Sequence, residues 1–133
     1  MSQEHIEIVR RVLEAWNRRD ADLGRADLAP DIEWKPASPT AVEDTVYRGY
    51  DEVAAATTAL WETWDVFRFD EDEIRDLGSS IVWLGHVHIR GSASRVELDQ
   101  EFGIHCSMRG DKVARAESFL SWNQALEAAG SAD

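Results

Sequence analysis

A chain of 133 residues with a formal net charge of −12 and a single cysteine is long enough for one packed core and too short for two. The negative charge repels phosphate backbones and anionic lipid, so no nucleic acid and no membrane is expected as a partner. An apolar content of 44% with six tryptophans is that of a folded chain rather than a disordered one. The lone Cys106 leaves no internal disulfide and fits a reducing cytoplasm. No apolar run approaches the roughly 20 residues of a membrane helix, and Met1–His5 lacks the character of a secretory leader. The expectation is one cytoplasmic domain spanning 1–133.

Ser2 is placed to cap a first helix running to about Arg19, with Ile6, Val9, Leu13 and Trp16 on one apolar stripe. Asp20 starts a short second helix through about Ala29, which Pro30 closes. Asp31–Lys35 reads as a short strand that stops at Pro36, and a loop with two prolines follows. A third helix begins after Tyr47-Arg48-Gly49-Tyr50, with Asp51 and Glu52 in its first turn and Val53, Thr57, Leu60, Trp61 and Trp64 at helical spacing.

The period then changes. Val66–Asp76, Ser80–Arg90, Arg95–Met108 and Lys112–Ser121 read as four strands separated by hairpin sequences, before a last helix near Asn123–Ala129. Helices first and an antiparallel meander afterwards give an α+β domain with the helices on one side of a curved sheet. The acidic run Asp70–Glu73 reads as a solvated strand edge, and Arg109-Gly110-Asp111 as a hairpin turn.

The organising stretch is Ile81–Arg90. Alternation places Val82, Leu84, His86, His88 and Arg90 on one face and Ile81, Trp83, Val87 and Ile89 on the other. Both faces look covered. The face that ends in two imidazoles is assigned to a cavity, and the uniformly apolar face, with Trp83, to a protein interface.

Several phrases carry a resemblance: Leu13-Glu14-Ala15-Trp16-Asn17, Ala29-Pro30-Asp31-Ile32-Glu33-Trp34, Tyr47-Arg48-Gly49 and Gly110-Asp111-Lys112-Val113. With the order of elements, they resemble the SnoaL-like polyketide cyclase branch of the nuclear-transport-factor-2-like superfamily, which also holds ketosteroid isomerase and limonene epoxide hydrolase. The resemblance covers about Glu4 to Gly130. It implies a cone-shaped α+β barrel, in which a curved, mostly antiparallel sheet wraps a pocket closed by three N-terminal helices, and a homodimer formed through the outer sheet face. It is poorly specific for the reaction, because this scaffold hosts many activities.

The resemblance also places individual residues. His86 and His88 fall where the epoxide hydrolases carry a pocket arginine and aspartate, and Trp34 near their pocket tyrosine. Pro36 and Ser118 fall at positions where relatives keep catalytic polar or acidic groups, and Gly103 near the isomerase's proton donor. Every acidic catalytic position of those relatives is changed, so neither mechanism transfers intact.

What remains is a pocket expected to contain histidines. His105, on the next strand, is grouped with Asp99, Glu101 and Gly103 on the same face as His86 and His88, while Cys106 joins Phe102, Ile104 and Met108 on the opposite one. Imidazoles titrate near neutrality and suit proton transfer, and Glu101 or Asp99 could orient one. The expectation is a cofactor-independent enzyme doing acid–base chemistry (cyclisation, isomerisation, dehydration or epoxide opening) on an apolar oxygenated small molecule. His86, His88 and His105 would be catalytic, and Trp16, Trp34, Tyr47, Trp61, Glu101 and Ser118 substrate-binding. A three-histidine metal site is the sharper variant, and no metal is assigned. The alternative is a non-catalytic small-molecule-binding or protein-association module.

Overall fold

The computed structural model describes residues 2–20, 22, 25–37, 45–93 and 96–132. The elements run α1 (Ser2–Asn17), a 3-10 turn (Arg25–Asp27), β1 (Leu28–Lys35), β2 (Tyr47–Arg48), α2 (Gly49–Thr63), β3 (Trp64–Asp76), β4 (Ser80–Gly91), β5 (Glu97–Arg109), β6 (Lys112–Phe119) and α3 (Trp122–Ala132). The strands form one open six-stranded sheet in the order β2-β1-β6-β5-β4-β3. All pairings are antiparallel except β1 with β6. This is the α+β architecture expected, with a curved sheet that does not close.

One element differs. The helix expected from Asp20 to Ala29 is, over its described residues, only the 3-10 turn, and β1 begins at Leu28 rather than Asp31. Pro30 sits inside this strand, where the register against β6 shifts between Leu28 and Glu33. At such an irregularity the missing N–H costs no ladder bond, so proline reads as a terminator from sequence yet is tolerated here. The expected pocket closure by three N-terminal helices thus reduces to α1 and α2.

Helix α2 enters through Gly49 at φ +82°, a left-handed conformation that disfavours a side chain. The Glu52 carboxylate accepts the Arg48 N–H at 2.9 Å and satisfies one free donor at the helix start. The Asp70–Glu73 run lies on β3, an edge strand of the sheet, as its sequence suggests.

The two sheet faces are covered by different helices. On the inner face, α1 (Ile8, Val9, Trp16) and α2 (Val53) pack over Ile81, Trp83, Val87 and Ile89 of β4 and Phe102, Ile104 and Cys106 of β5. On the outer face, Ala125 and Ala129 of α3 cover Val82 and Leu84 in a second, smaller cluster with Phe119 and Trp122. Gly103 admits this helix: a Cβ there would lie 2.6 Å from that of Ala125. The start of α3 is fixed by Ser121 Oγ, which accepts the Gln124 N–H, and by Glu101 Oε2, which accepts the Trp122 N–H at 2.7 Å. Among the described residues, no helix is long and apolar enough to cross a membrane.

Candidate ligand pocket

Between the inner sheet face and the two helices lies a cavity of about 350 Å³, within the range of small-molecule sites. Helix α1 contributes Val9, Val12, Leu13 and Trp16, and α2 contributes Val53, Thr57, Leu60 and Thr63. The floor is Phe67 and Phe69 of β3, Phe102, Ile104 and Cys106 of β5, and Ala116 and Ser118 of β6, with Trp34, Pro36 and Tyr47 on the β1–β2 side. Among the described lining residues there is no Asp, Glu, His, Lys or Arg. The polar atoms are neutral: hydroxyls of Tyr47, Thr57, Thr63 and Ser118, the Trp34 indole and the Cys106 thiol. Burial pushes that thiol up to about 12, so it stays protonated and is not a nucleophile at neutral pH.

Trp16 holds the wall in place. Its Nε1 donates to the Phe67 carbonyl at 3.0 Å, and its ring meets those of Trp34, Trp61, Phe67 and Phe69 edge-on, with centroids 5.2–5.9 Å apart. This is the geometry aromatic quadrupoles favour. Tyr47 packs on Trp34 at 5.8 Å, whereas the hydroxyl of Tyr50 donates to the Leu28 carbonyl and is structural. Of the expected ligand contacts, Trp16, Trp34, Tyr47 and Ser118 therefore line the cavity. Trp61 stands behind Trp16 and does not.

The histidines do not. Register across β3, β4 and β5 sets His86 opposite Asp70 and Glu101, His88 opposite Arg68 and Asp99, and His105 opposite Val82. The grouping of His86, His88, His105, Asp99 and Glu101 on one face is as expected, but that face is the outer one. His86 Nδ1 pairs with Asp72 Oδ2 at 2.7 Å, and His88 Nδ1 with Asp99 Oδ1 at 2.8 Å. The hydrogen bond from His88 to Asp99, with help from Glu97 and against partial desolvation, raises the His88 pKa above its ordinary 6.5. His105 is buried on the same outer side. Glu101 caps α3 and is no cavity residue. Among the described residues, no three His, Cys, Asp or Glu side chains are placed to hold a metal ion.

Trp83 is corrected in the same way. Expected at a dimer interface, it is 1% exposed and packs on Phe69 at 5.6 Å within the inner core. The cause of both inversions is physical. The uniformly apolar face of the Ile81–Ile89 strand is covered by this chain's own helices, and continues across the sheet as Phe67–Phe69 and Phe102–Ile104–Cys106. The cavity side of the sheet is apolar across these three strands, so the polar ends of β4 and β5 lie on the other face. The cavity residues not foreseen are Thr57, Cys106 and the phenylalanines. Their signal was this apolar face shared by three strands.

The model of the SnoaL-like domain matches residues 9–116. The chain belongs to the SnoaL-like family. Solved structures extend the likeness over nearly the whole chain. A nuclear-transport-factor-2-like protein from Burkholderia thailandensis is 26% identical, with 92% of this chain and 96% of that one covered and a TM-score of 0.75. A protein from Xanthomonas campestris, provisionally assigned as a polyketide cyclase, shares 16% identity over 92% and 94% of the two chains at a TM-score of 0.76. TerC, co-crystallised with polyporic acid, shares 17% identity over 93% and 96% at 0.78. At such identities the last two show the SnoaL-like fold alone. A comparison with curated proteins returns no match.

Within this SnoaL-like frame, the positions that the resemblance carried onto β6 and the end of β1 (Ser118, Trp34, Pro36) reach the cavity. Those carried onto β4 and β5 (His86, His88, Gly103) land on the outer face. The parity of two strands is what separates them.

Proposed function

We propose that this SnoaL-like protein encloses one neutral, apolar, oxygen-bearing small molecule and acts on it by cyclase- or isomerase-type chemistry. The observation that carries this reading is the cavity whose described lining is aromatic and aliphatic, with uncharged hydroxyls as its polar points. A charged guest would be stripped of water with no opposite charge among those residues, at a cost of several kcal/mol. A neutral ring compound loses little and gains the contact of Trp16, Trp34, Phe67 and Phe69.

Such a site favours reactions in which placement and water exclusion matter most. Folding a flexible guest against rigid aromatic walls brings reacting carbons together, and a hydroxyl donating to a carbonyl oxygen of the guest polarises that carbonyl. Tyr47 of β2 and Ser118 of β6 are donors available for this. His86 and His88 do not exchange protons with a guest in the cavity, since both imidazoles face away from it. The provisional assignment of the Xanthomonas protein as a polyketide cyclase supports this type of chemistry.

One observation favours a second reading, a binding module without chemistry: the described lining holds no imidazole or carboxylate to move a proton. Incubation with a panel of neutral cyclic ketones and quinones, read by melting temperature for binding and by NMR for turnover, separates the two. Binding with conversion supports the enzyme, and binding without conversion the module. Failure of every compound to raise the melting temperature overturns the ligand reading itself.

A further inference from the structure

Helix α2 carries two threonines on the cavity, and they are treated differently. Thr63 Oγ1 donates to the Ala59 carbonyl four residues back at 2.9 Å, the usual retreat of a hydroxyl in a helix. Thr57 is 1% exposed, lines the cavity, and its Oγ1 has no hydrogen-bond partner. One turn further on, Trp61 Nε1 is a second buried donor with no acceptor, on a ring packed against Trp16. Buried donors left without an acceptor are rarer and costlier than underused carbonyls. A valine would fill the place of Thr57 without that cost, so the hydroxyl is explained by an acceptor that the chain does not supply.

We propose that Thr57 is the specificity-determining residue of the pocket, donating from Oγ1 to an acceptor oxygen, a ketone, quinone or lactone carbonyl, on an otherwise apolar ring skeleton. Val53, Leu60 and Phe102 line the same cavity with hydrocarbon. A guest lacking an oxygen at that point leaves the hydroxyl unmet, and one carrying it is held in a single orientation beneath α2. The assignment rests on the ligand reading of the cavity and adds the chemical class of the guest and the residue that selects it.

The test is a matched pair of probes, 1-tetralone and tetralin, which share a skeleton and differ by one carbonyl. Binding to the intact protein and to Thr57→Val and Thr57→Ser is followed by quenching of tryptophan fluorescence. The wild type is expected to prefer 1-tetralone by about fivefold, the yield of one net hydrogen bond. Thr57→Val abolishes the preference by weakening 1-tetralone while sparing tetralin, and Thr57→Ser restores it. Equal binding of the two probes to the wild type, as when a water already satisfies the hydroxyl, overturns the assignment of Thr57 while leaving the pocket as a ligand site. So does a preference that survives in Thr57→Val. Failure of both probes to bind the wild type overturns the assignment together with the ligand reading.

Discussion

His86 Nδ1 stands 2.7 Å from Asp72 Oδ2 on the side of the sheet away from the cavity, beneath the edge of Trp122, whose ring centroid is 5.9 Å from the imidazole. The pair is a surface feature that braces α3 against the end of β4, together with the bond from Trp122 Nε1 to the Gly85 carbonyl at 2.9 Å. His86→Ala and His88→Ala are therefore expected to leave 1-tetralone affinity within about twofold of wild type, because sites that share no partners act independently. A tenfold loss in either, with the fold intact by circular dichroism, would restore the histidines to the pocket.

His88 makes stability depend on pH. Its folded pKa is raised, chiefly by the hydrogen bond to Asp99 and then by Glu97. A group whose pKa rises on folding stabilises the folded state fully below its unfolded value, and that contribution is lost as pH rises through the folded value. The melting-temperature gap between wild type and His88→Gln should thus be widest near pH 5.5 and shrink by pH 8.5. A gap that grows with pH contradicts the sign.

Gly85 has no room for a side chain. A Cβ there would lie 2.1 Å from the Asp70 carbonyl oxygen and 2.7 Å from Cη2 of Trp83, whose indole lies across it. The neighbouring β3 is irregular between Glu71 and Glu73, and its backbone cannot retreat without breaking the ladder. Gly85→Ala is expected to destabilise by about 1–3 kcal/mol, the cost of overpacking a filled core, read as a lower urea midpoint. An unchanged midpoint would mean that the sheet yields freely at this point.

Glu101 ties β5 to α3 through the Trp122 N–H. Glu101→Ala should cost about 1 kcal/mol, as the loss of a helix cap does, and should speed hydrogen exchange at the first amides of α3 without changing probe affinity. A selective loss of probe affinity would instead return Glu101 to the binding site.

Much of the fold was legible because periodicity reports it directly. The amphipathic stripe of α1 and the four long strands follow from residue spacing, and hairpin residues such as Gly110, at φ +61°, mark their ends. The second helix of the sequence pattern is absent from the described residues because proline, which usually terminates helices, here sits inside an irregular strand. The pocket was half legible. Alternation sorted His86 with His88 and Cys106 with Ile104 correctly, yet alternation is silent on which face looks inward. That choice is made by α3 settling on Val82, Leu84 and Gly103 and by α1 and α2 settling on Trp83 and its neighbours, long-range packing that no local spacing encodes. Thr57 reads in the sequence only as a helix-face residue, since an unmet hydroxyl is a property of its surroundings.

The six indoles lie on both sides of the sheet, so one spectrum tests which side binds. The decisive measurement is the indole N–H region of a nitrogen-15 correlation spectrum during titration with 1-tetralone. Saturable shifts of the Trp16 and Trp34 signals, with Trp122 unmoved, are the result expected of a guest on the inner face. Shifts confined to Trp122, beside His86, would place the guest on the outer face and contradict the inner cavity as its site.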